Sequence, residues 1–186
     1  MENIRDEIIG MRPIYTELGN ETQLYLREGE VIDGRGLQAV KRALMHSYEI
    51  DQCAQRQHMA DRLNRQGILP FYLNKQRVFV PLKMRRAVAA RDSVYGYIDL
   101  REIGQVQPDG KNACRLYLQD GRQIPILSHE KTVSHIKEKG FSLLESLQDK
   151  PDSDPGAQSF IDGNRYVINL LQEINHKIDR LNMLGG

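Results

Sequence analysis

The segment RPIYTEL (12–18) carries the apolar–polar pattern of a strand, and Met1 to Gly10 before it reads as a short helix or an unpaired end. Gln23-Leu24-Tyr25-Leu26-Arg27 and Glu30-Val31-Ile32 predict a hairpin that closes at Glu28-Gly29. The period then changes. In GLQAVKRALMHSYEI, Leu37, Val40, Leu44 and Tyr48 recur at helical spacing, and a second helix is expected from about Asp51 to Gln66, stopped by Gly67. ILPFYL and RVFVPL return to strand character around a turn at Asn74-Lys75. YGYIDLREIGQV, NACRLYLQD and GRQIPIL predict three more strands, separated by Pro108-Asp109-Gly110 and Asp120-Gly121, and Asp-Gly pairs favour tight hairpins because glycine accepts positive φ. Within CRLYL, alternation sets Cys114, Leu116 and Leu118 on one face and Arg115 and Tyr117 on the other. Ser128 is the expected N-cap of the helix HEKTVSHIKEKG, with Lys131 at its third position.

Beyond that helix, LQDKPDSDPGAQ has the Pro, Gly and Asp content of a linker. The segment GNRYVINLLQEINHKIDRLNML then carries a heptad stripe, with Val167, Leu171, Ile174, Ile178 and Leu181 at d, a, d, a and d. A helix of about three heptads is marginal alone in water. It must pack on its own domain or on a second copy, and a homodimer or higher homo-oligomer is expected. The pattern predicts a mainly β domain with accessory helices (α+β, antiparallel) over residues 12–146, with a helical insertion at about 51–66. A linker (147–158) and a C-terminal amphipathic oligomerisation helix (159–186) complete the expected organisation.

Composition narrows the class. The chain has 186 residues, 40% of them apolar and 27% charged, and no run approaches 18 apolar residues, so no membrane contact and a cytoplasmic location are expected. Two cysteines, Cys53 and Cys114, are too few for a disulfide framework. Net charge is only +1, but Gln52 to Arg91 holds nine cations against Asp61 alone, a net +8 that leaves −7 for the remainder. Such asymmetry points to a polyanionic partner. The stretch PLKMRRAVAARDSVYGYIDL sharpens the point: Lys83, Arg85, Arg86 and Arg91 fall between two strands, where a simple reversal would use Gly, Asn, Asp or Pro. Catalytic patterns are missing. DGRGLQ lacks the glycine spacing of a phosphate loop, there is no G-x-S-x-G, and His46, His58, His129, His135 and His176 lack zinc-site spacing, so no enzyme activity, metal or cofactor is expected.

The order strand, hairpin, helix, strands, Asp-Gly hairpin and closing helix resembles the DNA-binding domains of the LytTR type. YTELGNETQLYLREGEVIDGRGLQAVKRAL is similar to that family's first half, and RDSVYGYIDLREIGQVQPDGKNACRLYLQDGRQIPILSHEKTVSHIKEK to its second. Arg91-Asp92-Ser93 stands near the family's His-Arg-Ser element, Tyr97 to Leu100 near its apolar strand, and Ile124 to His129 near its IPVSR segment. The chain departs from the pattern where the His is missing, at Asp92, and where His129 replaces the final Arg. Length and the Pro-ended strand Val78-Phe79-Val80-Pro81 also resemble competence regulators of the ComK type. The resemblance implies a transcription regulator whose inter-strand loops contact double-stranded DNA. On that basis Lys83, Arg85, Arg86, Arg91, Ser93, Ser128, His129 and Lys131 are the expected contact residues, with Lys and Arg acting through counterion release. The rival reading is a non-enzymatic interaction protein whose basic face binds an acidic protein partner.

Overall fold

The first strand begins earlier than alternation predicts. In the computed structural model of the chain, which describes residues 1–90 and 92–148, β1 runs Ile8–Thr16 after a single 3-10 turn at Glu2–Ile4. Ile8, Ile9 and Met11 are all buried. A continuous apolar run is what a strand covered on both faces requires, so of the stretch expected as a short helix or unpaired end, Glu2–Ile4 form a 3-10 turn while Ile8 to Gly10 belong to the sheet. β2 (Gly19–Leu26) and β3 (Glu30–Asp33) form the expected hairpin, with Tyr25 opposite Glu30 and Gly29 at φ +81° in the turn.

α1 spans Leu37–His46 and buries Leu37, Val40, Leu44 and Met45; Tyr48 falls past its end. α2 spans Gln52–Leu63, capped by the Asp51 carboxylate, which accepts from the backbone N–H groups of Cys53 and Ala54. It stops before Gly67 because Asn64 adopts the left-handed conformation (φ 44°). β4 (Phe71–Asn74) and β5 (Arg77–Lys83) turn at Asn74, whose side chain accepts from the N–H groups of Gln76 and Arg77.

The stretch expected as one strand from Tyr95 onward is two. β6 (Tyr95–Asp99) ends where the Asp99 side chain accepts from Arg101 N–H, capping a 3-10 turn at Leu100–Glu102, and β7 (Ile103–Pro108) starts a new sheet. The fold is mainly antiparallel β with helices. One sheet has six strands in the order β3-β2-β1-β6-β5-β4; the other is β7-β8-β9, with β8 at Cys114–Leu118 and β9 at Gln123–Ile126. Cys114, Leu116 and Leu118 are buried and Arg115 is exposed, as alternation predicts.

Both faces of the large sheet are covered. Ile9, Val78, Val80 and Ile98 point into a core shared with the small sheet, α2 and α3, whereas Ile8, Met11, Phe79 and Tyr97 point into a second core beneath α1. α3 runs Glu130–Gln148, eight residues past the expected end at Gly140 and two into the expected linker, because Leu143, Leu144 and Leu147 extend its buried stripe. Gly140 lets it approach the sheet: a Cβ there would lie 3.0 Å from both Val80 Cγ1 and Leu100 Cδ1. Gly→Ala inside a helix ordinarily gains about 1 kcal/mol. Here overpacking by about 2 kcal/mol is expected to reverse the sign, and a lowered urea midpoint for Gly140→Ala checks it. The linker beyond Gln148 and the heptad residues Val167, Leu171, Ile174, Ile178 and Leu181 lie outside the described residues, as does Arg91.

Candidate nucleic-acid interface

The connection between β5 and β6 is not an extended basic arm. Asp92 folds it back on itself. Its carboxylate accepts from the N–H groups of Val88 (2.9 Å) and Ala89 (2.6 Å), from Asn20 Nδ2 (3.3 Å) and from the Tyr15 hydroxyl. The Tyr15 hydrogen bond, followed by those from Ala89 and Val88, holds this carboxyl down at about 2. Asp92 thus closes the loop and ties it to the β1–β2 hairpin.

Arg85 points inward. Its Nε donates to the Ser93 carbonyl (2.7 Å), its Nη2 donates to Asn20 Oδ1 (2.7 Å), and its guanidinium lies 3.9 Å from the centroid of the Tyr15 ring. It is only 9% exposed. The expectation that Arg85 carries charge outward therefore fails, and the reason is local: Ser93 and Asn20 supply acceptors for Nε and Nη2 in place of water and Tyr15 supplies a ring face, while Nη1 is buried without a partner among the described residues. Ser93 is half-buried and contributes its carbonyl. Of the loop's expected contact residues, Arg86 is exposed and Lys83 half-buried.

Lys83 is brought to the end of α3. Leu127 N–H donates to the Lys83 carbonyl at 2.7 Å, joining the end of β5 to the segment that enters the helix. The helix cap is His129 rather than Ser128. His129 Nδ1 accepts from Lys131 N–H (3.2 Å), and the His129 carbonyl accepts from Thr132 (2.9 Å) and Val133 (3.3 Å). Lys131 is therefore the second helical residue. Ser128 is half-buried and, with Lys83, lines a groove of about 410 Å³ between the α2–β4 connection, β5 and α3.

That groove brings in basic side chains beyond the expected contact set. Arg65, His135 and Lys139 line it with Lys83, and among the described residues no carboxylate does. None of Arg65, Lys83 and Lys139 is in an ion pair among the described residues. A second depression of about 300 Å³ adjoins through Lys83 and brings in Arg86 with Asn112 and Leu127. The helix residues had a readable signal: Thr132, His135 and Lys139 recur at i, i+3 and i+7 on one face. The +8 window, by contrast, is dispersed. Arg77 pairs with Asp99 at 3.0 Å in the interior, Arg85 is buried, and Arg56 faces a different pocket.

Among the described residues no cluster of three or more His, Cys, Asp or Glu side chains is placed to hold a metal, and no helix is long and apolar enough to cross a membrane. No family model and no curated protein matches the chain. Among solved structures, the chain is similar to the LytTr DNA-binding domain of a Bacillus cereus protein described as a methyl-accepting/DNA response regulator, at 10% identity and a TM-score of 0.35, over 72% of this chain and 81% of that one.

Proposed function

We propose that the protein is a DNA-binding transcription regulator whose duplex-facing surface is the basic groove and its rim: Lys83 and Arg86, the entry to α3 at Ser128, His129 and Lys131, and Lys139 and Arg65 beside them. The observation that supports this is the convergence of cations from three separate segments on one concave surface without a described carboxylate. Phosphates approaching that surface release counterions without first breaking protein ion pairs. Arg85 and Ser93 serve the interface by holding the loop, and Arg91 is a further contact in the proposal. The LytTR-type resemblance of the sequence supports transcription regulation as the purpose of the contact. The heptad segment supplies the dimerising element, which would set two such surfaces on repeated half-sites.

The test is duplex binding measured across a salt series. Changing Lys83, Arg86, Lys131 and Lys139 together to alanine is expected to leave the fold intact, since three of the cations are exposed and the fourth, Lys83, is half-buried without an ion pair among the described residues. The slope of log K against log salt should fall by about 3.6, at about 0.9 per phosphate contact. Arg85→Ala should instead loosen the loop and lower stability. An unchanged slope in the fourfold variant would remove the groove from the interface, and no saturable duplex binding by the native chain at low salt would remove the reading itself.

A further inference from the structure

On the α1 side of the large sheet, Lys41 presents an ammonium group that no carboxylate among the described residues meets. Its Nζ sits 4.6 Å from the ring centroids of both Phe71 and Tyr97 and donates a long hydrogen bond (3.4 Å) to the Tyr97 hydroxyl. Buried charges are ordinarily paired with an opposite charge, because rings and a single hydroxyl do not replace a hydration shell. The side chain opens into a pocket of about 220 Å³ formed by α1, the start of α2, the α2–β4 connection and Phe71.

Across that pocket stands a second cation. Arg56 of α2 lines it, and no described carboxylate does. The arrangement places two like charges around one concavity, where their repulsion disfavours the charged amine: burial first, and then Arg56, push Lys41 down to about 8. The neutral polar side chains at the rim are amides, which can donate through NH2. Gln38 and Gln52 line the pocket with amides that carry no hydrogen bond among the described residues, whereas Gln55 is already committed to the backbone of Tyr72 through both ends of its amide. The remaining wall is apolar, from Met45 and Leu69 to Phe71.

We infer that this pocket is a binding site for a small organic oxyanion, a carboxylate or phosphate ester with a compact apolar body, whose charged oxygens bridge Lys41 and Arg56 while Gln38 and Gln52 donate at the rim. An oxyanion there removes the like-charge repulsion and supplies the counter-charge that the fold leaves out. Charge-assisted hydrogen bonds of this kind are about twice as strong as neutral ones. The volume, below the usual range for drug-sized ligands, limits the occupant to a small molecule. The pocket shares Gly67, Ile68 and Pro70 of the α2–β4 connection with the basic groove but none of its cations, and the inference does not depend on DNA binding.

The experiment uses the full chain at pH 7 and constant ionic strength, with chloride replaced stepwise by inorganic phosphate in one series and by propionate in another, followed by thermal melting and by amide NMR. In at least one series, a saturable rise in the melting midpoint is expected, with half-saturation below about 1 mM. Amide shifts should be concentrated in α1 and the first turns of α2. Lys41→Met and Arg56→Gln, each folded by circular dichroism, should lose the saturable component. Saturation by phosphate alone assigns the ligand to the phosphate esters, by propionate alone to the carboxylates, and by both to any small oxyanion. A rise that never saturates, or one that persists unchanged in both variants, is a general salt effect and overturns the site.

Discussion

Replacing Asp99 by alanine is expected to cost about 4 kcal/mol of folding stability, read as a loss in the unfolding free energy in urea. Asp99 closes β6 and its Oδ2 accepts from Arg77 Nε at 3.0 Å; the two side chains are only 4% and 12% exposed. Arg77 is the centre of a wider network. Its guanidinium also donates to the carbonyls of Arg5 (3.3 Å) and Ile8 and to the Tyr48 hydroxyl (3.0 Å), so it ties the chain entry, β1 and the α1–α2 connection to β5. Alanine at 99 leaves that guanidinium charged, largely buried and without its counter-charge, and it also removes the cap of the 3-10 turn at Arg101. The loss reflects the orphaned cation more than the net worth of the pair. Burial pushes the Asp99 carboxyl above its ordinary value even against the pull of Arg77. The ionised carboxylate is thus disfavoured in the folded state, and the contribution of Asp99 to native stability should rise as pH falls through its raised folded value. Asp99→Asn keeps an oxygen toward Arg77 and is expected to lose much less than Asp99→Ala.

Lys41→Met is expected to work in the opposite direction, stabilising the protein by about 2 kcal/mol at pH 7. The amine ionises at about 8 in the fold against an ordinary 10.5, a gap worth about 3 kcal/mol, from which the loss of contacts with Phe71 and Tyr97 subtracts about 1 kcal/mol. The sign follows from proton counts. Between pH 8 and 10.5 the unfolded chain holds the proton that the folded chain has released, so native stability rises with pH through that window; below 8 both states hold it and the penalty is full. Tyr97, pushed up to about 12 by burial, stays neutral in the fold but ionises at about 10 in the unfolded chain; that contribution is common to both proteins and cancels in their difference. The unfolding free energy of Lys41→Met minus that of the native protein should fall by about 3 kcal/mol between pH 7 and 10.5, from about 2 in favour of the variant to about 1 in favour of the native chain. A constant difference would mean that the amine is solvated in the fold. A residue that costs this much stability at neutral pH is consistent with a binding role, as stability is commonly traded against function at such sites.

Local rules explain what could be read along the chain. The turns at Glu28-Gly29 and at the two Asp-Gly pairs need only glycine's access to positive φ, and Gly29, Gly110 and Gly121 adopt it at +81°, +91° and +87°. The Asp51 cap and the two-residue period of β8 depend on neighbours within a few positions. Where the signal was continuous rather than alternating, as in β1, the pattern misled, because a strand covered on both faces has no polar side. The split between β6 and β7 was carried by one side chain, Asp99, whose capping role emerges only once the two sheets diverge.

The candidate interface divides in the same way. From the chain alone came the mainly β class with accessory helices, the excess of cations between Gln52 and Arg91, and Lys83, Arg86 and the α3 entry as residues of interest. A charge count sums over sequence, however, and cannot say whether a cation meets water, a carboxylate or a ring. Tertiary structure turned Arg85 onto Tyr15, sank Arg77 against Asp99 and set Arg56 facing Lys41. It also joined Lys83 to the entry of α3 through the Leu127 hydrogen bond, which brought Arg65, His135 and Lys139 around the same groove. Periodicity and turn chemistry act over a few residues and are written locally. The placement of charge depends on contacts between segments tens of residues apart, and only the folded chain decides those.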